Sequence, residues 1–204
     1  YTLQIDTGEG WANVGAGYLL SFSVTSPAYF TDTLTQTTTK LTNLSGQAQV
    51  TVKSNSATVA ILSGSYDIIE EEVSFDAPPV TKTWEDYRIS ITPESATNLI
   101  GDTETFTVLL EKTTNGTTWS AASGETIDLS ITSPAYFVTI GGVSASGQSG
   151  SGTTDTNGEL SVVVKSDSPT VATLNATFDE LLSNQTLFSR SDTSTKTWED
   201  YRIS

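Results

Sequence analysis

Apolar and polar residues alternate along much of the chain. Phe106, Val108 and Leu110 alternate with Thr107, Leu109 and Glu111; Ile127, Leu129 and Ile131 with Asp128 and Ser130. Leu160, Val162 and Val164 do the same, as do Ala172, Leu174, Ala176 and Phe178. A period of two places successive side chains on opposite faces of a pleated strand, so each stretch predicts a strand with one face turned to a core. Tyr87, Ile89 and Ile91 predict a further strand ahead of these. Asn-Gly at 115–116 and 157–158 supplies residues that accept positive φ and predicts tight hairpins. Ser and Thr together form about 31% of the residues, and β-branched Thr suits a pleated, half-wet surface. Long stretches rich in Ala, Leu, Glu and Lys are missing. The chain reads as all-β.

The strands recur. TSPAYF stands at 25–30 and 132–137, QVTVKSNSATVAIL (49–62) matches SVVVKSDSPTVATL (161–174), and TKTWEDYRIS stands at 81–90 and 195–204. YTLQID from Tyr1 aligns with FTVLLE from Phe106. The spacing between matching segments only grows along the chain, so the second copy is the first with insertions. TTNGTT (113–118) and GGVSASGQSGSG (141–152) are read as those insertions, loops lengthened outside the sheets. The prediction is tandem immunoglobulin-like β-sandwiches. Residues 1–83 form a sandwich lacking its first strand and 84–197 a complete one. Residues 198–204 begin the first strand of a further repeat, or a donor strand for a neighbouring subunit.

TTDTNGELSVVVKSDSPTVATLNATF (153–178) resembles the closing strands of bacterial immunoglobulin-like repeats of the invasin and intimin kind. YRISITPESATNLIGDTETFTVLL (87–110) resembles their opening strands. The resemblance implies an extracellular, surface-exposed stalk or adhesin module and carries over no active-site residue.

Charge and composition narrow the function. The net charge is −15, from 9 basic and 24 acidic residues, which disfavours nucleic acid and anionic lipid as partners. No apolar run approaches the ~20 residues of a membrane span. The chain has no Cys, His or Met, so the common catalytic triads and zinc sites cannot be built. Lys53 and Lys165 precede Ser residues at strand ends, where a solvated Lys is the plain reading. We therefore expect no enzyme and no cofactor. Glu85 and Asp86, the acidic run 70–72 and DTNGE (155–159) are candidate calcium ligands, for which solvated charges and a hairpin turn are the simpler accounts. Asn43, Asn115, Asn175 and Asn184 lie in N-x-Ser/Thr sequons and are candidate glycosylation sites. TDTLTQTTTK (31–40) reads as a Thr-faced edge strand or an O-glycosylated one.

The repeated TKTWEDYRIS has two readings. It is a junction in a longer array, with Trp84, Glu85 and Asp86 at the domain boundary. Alternatively it is a donor strand, with Trp198, Tyr201 and Ile203 anchoring in a neighbour. Both give a structural subunit or segment of an extracellular surface filament or stalk, whose partners are copies of itself. The alternative is an adhesin that binds a host-cell or surface ligand through loops 113–123 and 141–152.

Overall fold

The structure, a computed structural model, describes residues 1–181 and 187–203, without the side chain of Ile69. The chain forms two compact units, Tyr1–Asp86 with Thr114–Thr118 and Tyr87–Thr113 with Trp119–Ser204. The first contains β1 (Gln4–Asp6), β2 (Trp11–Asn13), β3 (Leu19–Val24), β4 (Tyr29–Phe30), β5 (Thr37–Leu41), β6 (Val52–Lys53), β7 (Thr58–Ile68), β8 (Val73–Asp76) and β9 (Val80–Trp84). A single 3-10 turn, Ile69–Glu71, precedes β8. The strands of the second are β10 (Asp86–Thr92), β11 (Ser95–Leu99), β12 (Thr103–Thr113), β13 (Ser120–Ala121), β14 (Thr126–Ile131), β15 (Tyr136–Ile140), β16 (Val143–Ser144), β17 (Ser149–Thr153), β18 (Glu159–Lys165), β19 (Thr170–Leu181) and β20 (Leu187–Glu199). Among the described residues no helix is long and apolar enough to cross a membrane.

The second unit is an immunoglobulin-like sandwich. One sheet runs β10-β12-β18-β15-β16, with β13 beside β12, and the other runs β11-β20-β19-β14-β17. The opening segment is split, with β10 in one sheet and β11, parallel to β20, in the other. Pro93 lies where the chain switches sheets, a place where its missing N–H costs no ladder bond. The alternating residues fill the space between the sheets: Phe106, Val108, Leu110, Ile127, Val162, Val164, Leu174 and Ala176 are fully buried. Each such Val, Leu, Ile or Phe contributes about 1.5–3 kcal/mol by leaving water. Tyr87 and Ile91 of β10 are buried too, with the Tyr87 ring 4.7 Å from that of Phe178.

In the first unit, β5-β3-β7-β8 form a sheet with β9 also on β7, while β4-β6 and β1-β2 are short pairs. Leu20, Phe22, Val24, Ala28, Phe30, Ala48 and Ala60 make its core, with Tyr1, Leu3, Val50, Val52, Leu62 and Trp84 packed around it half-buried. Where β20 is continuous, this unit has two strands separated by Ala77-Pro78-Pro79. Two successive prolines cannot donate to a ladder, so the strand breaks there.

Three expectations need correction. Leu3 N donates to Gly46 O (2.8 Å) as Leu110 N donates to Gly158 O (2.9 Å), so Leu3 is the counterpart of Leu110 and Tyr1 that of Val108, not Phe106. The Asn157-Gly158 turn closes no hairpin. It joins β17 and β18, which belong to different sheets, and is held by Asp155 Oδ1 accepting from Asn157 N and Glu159 N. Finally, 141–152 is not all loop, since 149–152 lies in β17, paired with β14. Its glycines are packing residues. A Cβ on Gly150 would come 2.6 Å from Ile140, and one on Gly152 2.6 Å from Ile140 and 2.8 Å from Leu160.

Candidate functional site

The repeated Thr-Lys-Thr-Trp meets two different surroundings. In the second unit alternation turns Ser194, Lys196 and Trp198 of β20 inward, at 2%, 0% and 1% exposure. The opening segment covers them. Thr195 N donates to Glu94 O and Ile100 N to Glu199 O, both at 3.0 Å. The Ser194 hydroxyl donates to Pro93 O (2.7 Å), with Glu94 O also in reach, and the Trp198 indole N–H donates to Asp102 O (2.9 Å). Further along, Asp192 Oδ2 accepts from Ile91 N (2.8 Å) and Arg190 Nε donates to Tyr87 O (3.0 Å). Lys196 Nζ lies 2.9 Å from Glu104 Oε2, and Asn98 Nδ2 donates to that same oxygen at 3.2 Å.

In the first unit the matching inward positions are Val80, Lys82 and Trp84. Val80 is 53% exposed, Lys82 is exposed and Trp84 half-buried. Among the described residues β9 pairs with β7 alone. A cavity of about 420 Å³, lined by Tyr1, Ala48, Gln49, Val50 and Leu62, opens beside the stretch matching β18. Tyr1 partly fills it, its ring 5.4 Å from Phe22 and its hydroxyl donating to Leu62 O.

No protein-family model and no curated protein matches the chain. Solved structures do match. The D0-D1 domain of Intimin is 19% identical over 89% of this chain and 82% of that one, with a TM-score of 0.34. The D00-D0 domain of Intimin is 13% identical over 91% and 86%, with a TM-score of 0.37. Invasin, a bacterial integrin-binding protein, is 16% identical over 96% of this chain and 35% of that one, with a TM-score of 0.33. The chain resembles bacterial immunoglobulin-like domains of the intimin and invasin kind.

The remaining candidate residues are scattered rather than gathered into one site. Tyr201 and Ile203 are 75% and 104% exposed, whereas Trp198 belongs to the second unit's own core and is not free to anchor elsewhere. Glu85 is exposed and Asp86 half-buried at the head of β10. Among the described residues no three acidic side chains gather as cation ligands would. Asn43 Oδ1 accepts from Ser45 N and Gln47 N, the turn that Asp155 makes in the second unit. Asn115 Oδ1 likewise caps a turn, accepting from Thr117 N and Thr118 N. Asn175, half-buried on the outer face of β19, donates to Thr177 Oγ1. Asn184 lies outside the described residues.

An open groove of about 710 Å³ crosses β3, β5 and β7, lined by hydroxyls of Ser21, Ser23, Thr37, Thr39 and Ser65 and by Asp76. Beside it the Lys40 ammonium, hydrogen-bonded to Asp32, holds that carboxyl below the usual range. Lys165 pairs with Asp167 at 2.8 Å, and that hydrogen bond raises its pKa, which suits a structural ammonium rather than a base for a Ser nucleophile.

Proposed function

We propose that this chain is a structural segment of an extracellular surface stalk or filament of serial immunoglobulin-like modules. Each module is completed by an opening strand of the Tyr-x-Ile-x-Ile type. One observation carries this reading: the Lys and Trp of Thr-Lys-Thr-Trp are fully buried beside β11, whereas in the other copy the Lys is exposed and the Trp only half-buried. A sandwich edge left uncovered exposes unpaired backbone and core, and a strand that fills it gains main-chain hydrogen bonds and apolar contacts together. Tyr201 and Ile203 repeat Tyr87 and Ile89, the residues that do this in the second unit. In this reading Tyr201–Ile203 of another copy supplies the filling strand. Head-to-tail addition of copies builds an open filament.

The test compares native chain with a Tyr201→Asp, Ile203→Asp double variant by light scattering. Deleting from residue 195 would be the wrong probe, because it removes Lys196 and Trp198 from the second unit's core. Assembly of the native chain and a monomeric variant support addition between copies. Equal assembly in both overturns addition between copies. A monomer whose β9 and residue 49–53 amides resist hydrogen exchange would overturn the whole reading, since those edges would then need no strand.

A further inference from the structure

Three side chains from three strands converge in the second unit on one carboxylate oxygen. Glu104 of β12 offers Oε2, and Lys196 Nζ of β20 and Asn98 Nδ2 of β11 reach it at 2.9 and 3.2 Å. The Lys196 side chain is 0% exposed and its Nζ lies 5.4 Å from the centre of the Trp198 ring. The Asn98 amide also donates to Thr103 O at 3.0 Å, so both its N–H groups are directed and its plane is set. Taking an ammonium wholly out of water is costly, and an ion pair with a carboxylate still 21% exposed offsets that cost poorly. An ion pair also gives no role to the oriented carboxamide beside it.

We propose that Lys196 and Asn98 become joined by a covalent amide bond, formed within the folded unit and assisted by Glu104. The Lys196 ammonium passes a proton to the Glu104 carboxylate, leaving a neutral amine as nucleophile. Nζ attacks Asn98 Cγ, and the new Nζ–Cγ bond forms as the Cγ–Nδ2 bond breaks. Glu104 returns its proton to the departing Nδ2, so that ammonia leaves, and then takes the second proton from Nζ, which ends as an amide N–H beside a protonated Glu104. Nothing is oxidised or reduced and no co-reactant enters: an amine and a carboxamide give a substituted amide and ammonia. Holding nucleophile, electrophile and proton carrier together in a largely dry site converts a very slow reaction into an intramolecular one. The product replaces a buried charge with a neutral group.

The bond would join parallel neighbours, since Ala96 stands opposite Lys196 and Asn98 opposite Trp198. It ties the opening segment to the closing strand and locks nearly the whole unit between them, constraining the unfolded chain as a disulfide does. In a chain with no Cys it supplies the covalent staple that a disulfide cannot. Lys82, in the same Thr-Lys-Thr-Trp but exposed, is expected to stay unmodified.

The test is the intact mass of the native chain under denaturing conditions, followed by peptide mapping. The expected result is a mass lighter by one ammonia, a branched peptide joining Asn98 to Lys196, and Lys82 in a linear peptide. Glu104→Gln should restore the full sequence mass. The full mass in native protein, with Asn98 and Lys196 in separate linear peptides, would overturn the proposal. So would an ammonia loss that maps to a linear peptide at Asn115-Gly116 or Asn157-Gly158, where succinimide formation loses the same group. A cross-link that survives Glu104→Gln would remove Glu104 as the proton carrier.

Discussion

A methyl group at Gly158 would sit 2.4 Å from the Leu110 carbonyl oxygen and 3.1 Å from Ala122 N, at φ +78°. Gly46 repeats the arrangement, with φ +70° and Leu3 O at 2.8 Å. The obstacle is backbone in both, so no rotamer change relieves it, and the left-handed φ adds strain of its own. Gly158→Ala is expected to destabilise the second unit by about 2–4 kcal/mol, read as a lower urea midpoint at unchanged slope. Gly152→Ala meets side chains instead and should cost less, about 1–3 kcal/mol. Asn-Gly announced the positive φ at 158, because only the local dipeptide is needed for that. The close approach of Leu110 was not legible, because it comes from a strand far back in the sequence.

At the level of elements, one buried threonine pins the same corner in each unit. Thr154 Oγ1 donates to Ala122 O (2.7 Å) and accepts from Glu125 N (3.0 Å), and Thr42 Oγ1 donates to Gly15 O (2.7 Å) and accepts from Tyr18 N (3.1 Å). Valine keeps the shape and removes the hydroxyl, taking one partner from a carbonyl and one from an amide at a buried or part-buried corner. Thr42→Val and Thr154→Val should each cost about 1–3 kcal/mol, measured by thermal unfolding. The tryptophans of the repeat should separate. Trp198→Ala is expected to cost about 3–5 kcal/mol, and Trp84→Ala less, because its ring is already partly exposed. Alternation predicted β12, β14, β18 and β19 with their buried faces, since each has one wet and one dry side. It misread β17, whose inward residues are glycines: a residue without a side chain leaves no hydrophobic signal.

For the whole molecule, the absence of His and Cys empties the neutral range of titrating side chains. Asp32 and Asp167 sit below the ordinary carboxylate value through hydrogen bonds from Lys40 and from Lys165 and Tyr136. A depressed carboxylate gives stability that is present above its unfolded pKa of about 3.9 and lost as pH falls through the folded one. Tyr136 and Lys165 are raised, each chiefly by its hydrogen bond to Asp167, so their share is present below about pH 10 and lost above it. The melting temperature should therefore be flat from about pH 6 to about pH 9 and fall on both sides. A step near pH 6.5 in a calorimetric series would contradict this, since the chain has no His.

The sequence by itself determined the strands, their buried faces, the all-β class and the recurrence of one pattern. Each of these rests on local spacing or on comparison of the chain with itself. The tertiary structure alone decided which turns cross between sheets, and that the Lys and Trp of Thr-Lys-Thr-Trp are fully buried in one copy and exposed and half-buried in the other. It alone brought Asn98, Glu104 and Lys196 to one oxygen. Burial and side-chain convergence depend on which distant strand lies alongside, and a pattern with a period of two is the same whether that neighbour is present or not.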